Sequence, residues 1–187
     1  MYTDVMMTGF GGQGILLIGN LLAEAALLEN FNVTYLPSYG VEMRGGAANC
    51  TVVISDSEIG SPQVSAPEAL MVMSEQARAK YEAKLKPGGI YIVNSSLVNV
   101  DGIRRRDVER LVIPFNEAAV EMGSAKYANM LALGAYLARK PVVKLASIEE
   151  MLKSAFAGKK PELVSLNLKA IVRGIELADG LKNSGGK

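Results

Sequence analysis

The feature that most constrains the fold is an apolar stretch that runs into closely spaced glycines and then into a helical pattern, all within residues 4–30. Residues 4–8 are predicted to form a short buried strand. Residues 15–30 are predicted to form a helix, because leucine and alanine recur there at three- and four-residue spacing. Between them, Gly9, Gly11 and Gly14 fit the spacing G-x-G-x-x-G of turns that bind dinucleotides. A strand, a tight turn and a helix in this order are typical of an α/β domain.

The glycine turn is a candidate phosphate site. A helix N-terminus carries unpaired N–H groups and a partial positive charge, and glycine allows the close backbone approach that an anion needs. An NAD or FAD site also requires an acidic residue about 20 residues further on, at the end of the second strand. Here that strand is predicted to end in Leu36, Pro37 and Ser38, without an acid. The pattern argues against NAD or FAD and leaves two interpretations open, an anion-contacting turn and a tight turn that binds nothing.

Strands alternate with helices in the first part of the chain, and helices dominate the second. Further strands are predicted at residues 33–36, 49–55, 69–73, 90–94 and 110–114, and helices at residues 75–85 and, with breaks, at residues 116–179. Pro37 is expected to stop the second strand, and a turn at Asp56 suggests one antiparallel segment. The pattern predicts a three-layer α/β/α fold with a mixed, largely parallel sheet and a helical C-terminal part. We expect a single domain over residues 1–181 and a flexible tail over residues 182–187.

The composition argues against a self-contained catalyst. The chain has no histidine, the commonest general base near neutral pH, and its single cysteine cannot by itself hold an iron–sulfur cluster or a thiolate zinc site. A formal net charge of +1 gives no reason to expect nucleic acid or a membrane surface as a partner. The sequence shows no secretory leader and no long apolar helix, so we expect a cytoplasmic protein with no metal site and no catalytic residue of its own.

A second glycine-rich stretch, between the second and third predicted strands, carries an opposite-charge pair. Glu42 and Arg44 lie among Gly40, Gly45 and Gly46. The Arg44 guanidinium could clamp a carboxylate or phosphate, pair with Glu42, or dock a partner chain. A solvated loop whose glycines only make turns is the remaining alternative.

Three other features of the sequence are candidate sites. Asn129 lies in an apolar helix, where a buried amide must find partners, and the loop that carries Tyr39 and Arg44 is one source of them. Asn129 would then either cap that loop or contact a ligand. The arginine run at residues 104–106 precedes acidic residues and is interpreted as a solvated turn, and Cys50 is interpreted as a core residue.

Three motifs together resemble the gamma subunits of 2-oxoacid:ferredoxin oxidoreductases. They are Gly-Phe-Gly-Gly-Gln-Gly at residues 9–14, Ser-Tyr-Gly-Val-Glu-Met-Arg-Gly-Gly at residues 38–46 and Ala-Asn-Met-Leu-Ala-Leu-Gly-Ala at residues 128–135. Phe10 and the paired glycines after Arg44 are most like the 2-oxoglutarate branch. Val41 departs from the pattern, because the family commonly has proline there.

The resemblance implies one subunit of an enzyme that oxidatively decarboxylates a 2-oxoacid to an acyl-CoA and CO2. It implies thiamine diphosphate, magnesium and iron–sulfur clusters on partner subunits, among them thiamine diphosphate-binding and ferredoxin-like chains. This chain would bind no cofactor tightly but would help to form the coenzyme A site and the assembly. The site residues carried over are Gly9, Gly11, Gly12, Gln13, Gly14, Tyr39, Glu42, Arg44, Gly45, Gly46 and Asn129. A free-standing nucleotide-binding oxidoreductase or regulator, and a scaffold subunit without a ligand, are the alternatives.

Overall fold

A computed structural model describes residues 1–39, 46–158 and 161–184 of the chain. The strands are β1 (Tyr2–Phe10), β2 (Asn32–Tyr39), β3 (Ala47–Ser55), β4 (Ala69–Val72), β5 (Ile90–Asn94) and β6 (Glu109–Ile113). The α-helices are α1 (Ile15–Leu28), α2 (Glu75–Tyr81), α3 (Phe115–Glu121), α4 (Ala128–Arg139), α5 (Leu145–Ala155) and α6 (Glu162–Ser184). Short 3-10 turns lie at Glu82–Lys84, Val100–Gly102 and Ala125–Tyr127.

The strands form one mixed sheet in the order β2-β3-β1-β4-β5-β6. Strands β1, β4, β5 and β6 are parallel, and β3 runs antiparallel to both β1 and β2. This arrangement confirms the prediction of a mixed, largely parallel sheet.

Apolar side chains of the strands point alternately to the two faces of the sheet, which therefore carries a core on each side. Met7 and Met71 pack into the larger core, beneath the layer that contains α1 and α4. Leu70 and Tyr91 pack into a smaller core on the opposite face, with Tyr81 of α2. Helices on both faces of the sheet confirm the three-layer α/β/α prediction.

One local expectation from the sequence was wrong, and a second was right in that one strand is antiparallel but not in where that strand lies. Pro37 does not stop β2, which continues to Tyr39 and pairs with β3. Because β2 lies at the edge of the sheet, one side of the strand needs no ladder hydrogen bond, and a missing N–H is tolerated there. The turn at Asp56 leads into irregular structure, and the antiparallel element is β3, which precedes that turn.

The end of the chain was predicted to be a flexible tail from residue 182. Helix α6 runs to Ser184 and so includes the first three of those residues. Residues 185–187 lie outside the described part of the chain. The single-domain boundary and the flexibility of the tail stay predictions.

The topology places a crevice beside the glycine turn. From β1 the chain passes through α1 to β2 on one side of the sheet, and from β4 it passes through α2 to β5 on the other side. In open α/β sheets, ligands bind at the carboxyl ends of two neighbouring strands whose following connections lead in opposite directions. The ends of β1 and β4 therefore mark the region to search for a site.

Candidate functional site

The turn between β1 and α1 depends on two glycines in left-handed backbone. Gly12 has φ 101° and Gly14 has φ 73°, which other residues adopt only at a cost. Gly14 is also the N-cap of α1, and its carbonyl accepts the N–H of Ile18 at 3.2 Å. These two positions allow the chain to reverse tightly and enter the helix at once.

Some N–H groups of the turn are occupied within the protein. Gly11 donates to the carbonyl of Gly46 at 2.9 Å, and Gln13 donates to the carbonyl of Phe10 at 3.2 Å. The Gly11 N–H is therefore not available to a ligand. Its hydrogen bond instead ties the glycine turn to the chain just before β3.

The remaining N–H groups form an unsatisfied set. Among the residues that the structure describes, no hydrogen-bond acceptor faces the backbone N–H groups of Gly12, Gly14, Ile15, Leu16 and Leu17. The start of a helix leaves such groups free, and together with the helix dipole they attract an anion. The chemistry of this turn is therefore suited to a phosphate or carboxylate group.

The side chain of Gln13, which is half-buried, is hydrogen-bonded to two backbone groups. Its Nε2 donates to the carbonyl of Met73 at 2.8 Å, and its Oε1 accepts the N–H of Phe10 at 2.9 Å. Gly9 leaves the room for this arrangement, because a Cβ at that position would lie 2.2 Å from the Gln13 Oε1. The missing side chain at Gly9 thus makes room for the hydrogen-bonded side chain of Gln13.

Asn129, which is only 5% exposed, contacts the same turn from α4. Its Nδ2 donates to the Gly14 carbonyl at 3.3 Å, and its Oδ1 accepts the N–H of Met130 at 2.9 Å. A Cβ on Gly14 would lie 2.3 Å from that Nδ2. The partner of the Asn129 amide is therefore the glycine turn, whereas the sequence suggested the loop around Tyr39 and Arg44.

Two clefts flank the glycine turn. The first has a volume of about 440 Å³ and lies between the turn, the first residues of α1 and the chain from Gly46 to Ala48. The second, of about 540 Å³, lies at the carboxyl ends of β1 and β4, where its lining includes Met73, Leu97 and Asn116. The turn is the shared wall, so a ligand phosphate at its N–H groups has space on either side.

Lys126 is a residue of this site that sequence reasoning missed. It is the one charged side chain among the described residues that line the second cleft, and no ion pair is found for it within the described part of the chain. Its place three residues before Asn129 was the available signal, because both residues lie near the start of α4. A cation in a cleft with free N–H groups adds to the attraction for an anion.

The loop between β2 and β3 carries the rest of the predicted site. Glu42, Arg44 and Gly45 lie outside the described residues, and Tyr39 is described only as the last residue of β2. Gly46 lines the first cleft and accepts the hydrogen bond from Gly11. The roles assigned to these loop residues stay predictions.

In the arginine run at residues 104–106, the Arg105 side chain and two backbone N–H groups are hydrogen-bonded within the protein. The backbone N–H groups of Arg104 and Arg105 donate to the buried carboxylate of Glu82 at 2.7 and 3.0 Å. The guanidinium of Arg105 forms two hydrogen bonds with Asp107, at 2.7 and 2.8 Å, and lowers the pKa of that carboxyl. Arg105 is only 16% exposed, so the interpretation as a solvated turn is wrong for this residue, which pins the segment to Glu82.

Cys50 is a core residue, as predicted. Its side chain is fully buried under α1, and its Sγ lies 3.6 Å from the Ile15 carbonyl. Burial raises the pKa of the thiol to about 12, which suppresses the reactive thiolate. The described residues hold no cluster of three carboxylates or thiolates that could bind a metal ion. None of the helices in the described ranges is both long enough and apolar enough to cross a bilayer.

The fold and the turn define an α/β domain with a glycine turn at a topological switch point, and the chemistry of that turn is suited to an anion. A sequence model of the pyruvate ferredoxin/flavodoxin oxidoreductase family matches residues 4–177, and the chain belongs to that family. The resemblance drawn from the three motifs is thereby confirmed, as is the prediction of a subunit of an oxidoreductase that acts on 2-oxoacids.

Individual relatives agree with this assignment. The chain is 38% identical to the 2-oxoglutarate synthase subunit KorC of Methanocaldococcus jannaschii over 184 residues, which cover 97% of this chain and 96% of the relative. It is 34% identical to the ketoisovalerate oxidoreductase subunit VorA of Methanothermobacter thermautotrophicus over 175 residues, but these are only 36% of that longer chain. The same unit therefore occurs both as a separate chain and within a larger one.

Solved structures share the fold. The gamma subunit of a keto/oxoacid ferredoxin oxidoreductase from Geobacter sulfurreducens has a TM-score of 0.79 and 32% identity, covering 95% of this chain and 99% of that one. A 2-oxoglutarate:ferredoxin oxidoreductase from Magnetococcus marinus, with 2-oxoglutarate, coenzyme A and succinyl-CoA bound, has a TM-score of 0.86 and 26% identity. The match covers 96% of this chain and 31% of the Magnetococcus chain.

Proposed function

We propose that this chain forms part of the coenzyme A site of a 2-oxoglutarate:ferredoxin oxidoreductase and helps to hold its subunits together. The enzyme decarboxylates 2-oxoglutarate oxidatively to succinyl-CoA and CO2. Thiamine diphosphate, magnesium and the iron–sulfur clusters belong to partner subunits, and this chain supplies no catalytic residue. The KorC relatives and the Magnetococcus complex support the choice of 2-oxoglutarate and coenzyme A.

The observation that carries the proposal is the set of free N–H groups at the glycine turn. Gly12 and Gly14 present such groups beside a cleft that also contains Lys126. Coenzyme A carries several phosphate groups, and a phosphate at this position satisfies the N–H groups and meets the lysine charge. Arg44, two residues before Gly46 in the sequence, supplies a second positive charge, and Glu42 orients it.

The site is completed by other subunits. Both clefts lie on the surface of this chain, and the one beside Ala47 and Leu16 has a mainly apolar lining. The glycine turn can bind a phosphate of coenzyme A but makes no contact with its pantetheine arm. The thiol at the end of that arm must also reach an intermediate on thiamine diphosphate, which another subunit holds. Tight binding of coenzyme A is therefore a property of the assembled enzyme.

Substitution of Lys126 in the assembled enzyme tests the proposal. Lys126→Ala removes one exposed charge from the second cleft, and the loss of about 1 kcal/mol expected for a partly screened contact raises the KM for coenzyme A about fivefold. Lys169→Ala, an exposed lysine on α6 outside the cleft lining, makes the same change in net charge and is the control. Equal KM values for the two variants, in complexes of normal subunit composition, would remove Lys126 and its cleft from the coenzyme A site.

A further inference from the structure

The side chain of Gln13 bridges two strands at the point where their backbone pairing ends. Strands β1 and β4 pair as far as Thr8 and Val72, and Met73 still donates its N–H to the Thr8 carbonyl at 2.9 Å. Beyond this, the Phe10 N–H is bonded to the Gln13 Oε1, and the Met73 carbonyl is bonded to the Gln13 Nε2. The amide thus spans the gap that opens between the two strands at their carboxyl ends.

This bridge also fixes the backbone of the turn. Gln13 lies between Gly12 and Gly14, so an anchored side chain limits the rotation of the peptide groups on either side of it. Glycine alone would leave these peptide groups free to rotate, because it populates both signs of φ. The anchor therefore offsets the flexibility that the turn geometry requires.

Asn129 provides a second anchor, from the opposite side. Its Nδ2 donates to the Gly14 carbonyl, which also accepts the Ile18 N–H. The turn is held between the end of β4, through Gln13, and the start of α4, through Asn129. Its unsatisfied N–H groups are thereby kept at fixed positions beside the cleft.

We propose that Gln13 is a positioning residue for the anion site, acting through the N–H groups of Gly12 and Gly14. Both polar ends of its amide are bonded to backbone groups, so the side chain holds the turn in place. The inference rests on the proposed function for the identity of the ligand, coenzyme A. It replaces the direct cofactor contact that the sequence analysis assigned to Gln13.

The test compares Gln13→Met with Gln63→Met. Methionine matches glutamine in length without adding charge and breaks both hydrogen bonds of the bridge. Gln63 is exposed in the irregular segment after β3, where its backbone N–H is bonded to Ser61, so its side chain serves as the matched control. In the assembled enzyme, Gln13→Met should raise the KM for coenzyme A about tenfold, because N–H groups that lose their fixed positions must be ordered again when the ligand binds. The kcat at saturating coenzyme A should change less than about twofold, because no catalytic group is touched.

A second measurement, on the ligand-free chain labelled with nitrogen-15, separates positioning from direct contact. Gln13→Met should speed hydrogen exchange at the Phe10 amide and shift the amide resonances of Gly12 and Gly14, whereas Gln63→Met should leave all three unchanged. Unchanged glycine resonances combined with a raised KM would mean that Gln13 contacts coenzyme A directly. Shifted resonances with an unchanged KM would make the bridge structural only, and both results overturn the proposal.

Two further comparisons keep the test interpretable. If Lys126→Ala raises the KM for coenzyme A and Gln13→Met does not, the positioning role fails while the proposed function stands. If neither variant changes it, the ligand site itself is misplaced and both proposals fail. Gln13→Asn keeps the amide but is one methylene too short to bridge both groups, and it should give the same result if Gln13→Met does not fold.

Discussion

Replacement of Gly174 by alanine should separate α4 from α6 and destabilise the chain. A Cβ on Gly174 would lie 2.0 Å from the Leu131 carbonyl oxygen, and a Cβ on Gly134 would lie 2.0 Å from that of Ile171. The two helices therefore cross with a glycine from each against the backbone of the other. This crossing explains why the third recognised motif, at residues 128–135, contains a glycine within an otherwise favourable helix sequence.

The size of the destabilisation follows from the distance between the added Cβ and the Leu131 carbonyl oxygen. An ordinary contact begins at 3.4 Å, so the Leu131 oxygen and the new methyl group must move apart by 1.4 Å, the difference between 3.4 and 2.0 Å. A backbone carbonyl cannot rotate away as a side chain can, so we take the upper end of the cost of overpacking, about 3 kcal/mol. Alanine regains about 1 kcal/mol in a helix relative to glycine. The net loss is about 2 kcal/mol, which for a chain of this size lowers the Tm by about 4–8 °C.

Thermal unfolding followed by circular dichroism measures this effect. The matched control is Gly180→Ala, in the same helix, where an added Cβ would meet no atom of the described residues within 4 Å. The control should raise the free energy of unfolding by about 0.5–1 kcal/mol through helix propensity alone. If Gly174→Ala is as stable as Gly180→Ala, the close crossing of α4 and α6 is incorrect.

Three further predictions concern the site, the core and the isolated chain. Arg44→Ala should leave the Tm unchanged but raise the KM for coenzyme A or weaken subunit association, at a cost of about 1.5–3 kcal/mol for a charge-assisted contact; a complex with normal kinetics and assembly would exclude that role. Because burial raises the pKa of Cys50 to about 12, the thiol stays protonated at pH 9, so iodoacetamide should label the unfolded chain and spare the folded one, as mass spectrometry can show. The purified chain alone should be colourless and should not reduce an acceptor with 2-oxoglutarate and coenzyme A; a brown or yellow chain, or measurable turnover, would contradict the assignment of the cofactors to partner subunits.

Local patterns in the sequence were sufficient for most of the fold. The strand over residues 90–94 and the start of a helix at residue 75 were predicted correctly, and that helix is capped by Ser74, which accepts the hydrogen bond from the Ala77 N–H at 3.3 Å. Both depend on neighbours in the chain. The end of β2 could not be predicted from neighbours in the chain. A strand tolerates a proline such as Pro37 when it lies at the edge of the sheet, and the position of a strand is a property of the whole sheet.

The residues of the glycine turn and Asn129 could be singled out from the sequence, but the contacts between them could not. The pattern singled out Gln13 and Asn129, yet their partners Met73 and Gly14 are 60 and 115 residues away in the sequence. Only the folded chain brings these groups together. Lys126 had only its position three residues before Asn129 as a signal, since an exposed lysine before a helix is ordinary until the cleft around it is known.

Calorimetric titration of coenzyme A and NAD against the free chain and the assembled complex tests the central claim most directly. The turn offers a phosphate cradle, but the strand after it carries no acidic residue to hold a ribose. The free chain should therefore bind NAD negligibly and coenzyme A weakly, and tight binding of coenzyme A should appear only in the complex. Micromolar binding of NAD by the free chain, abolished by Gly11→Val, would contradict the claim and make this turn a dinucleotide site.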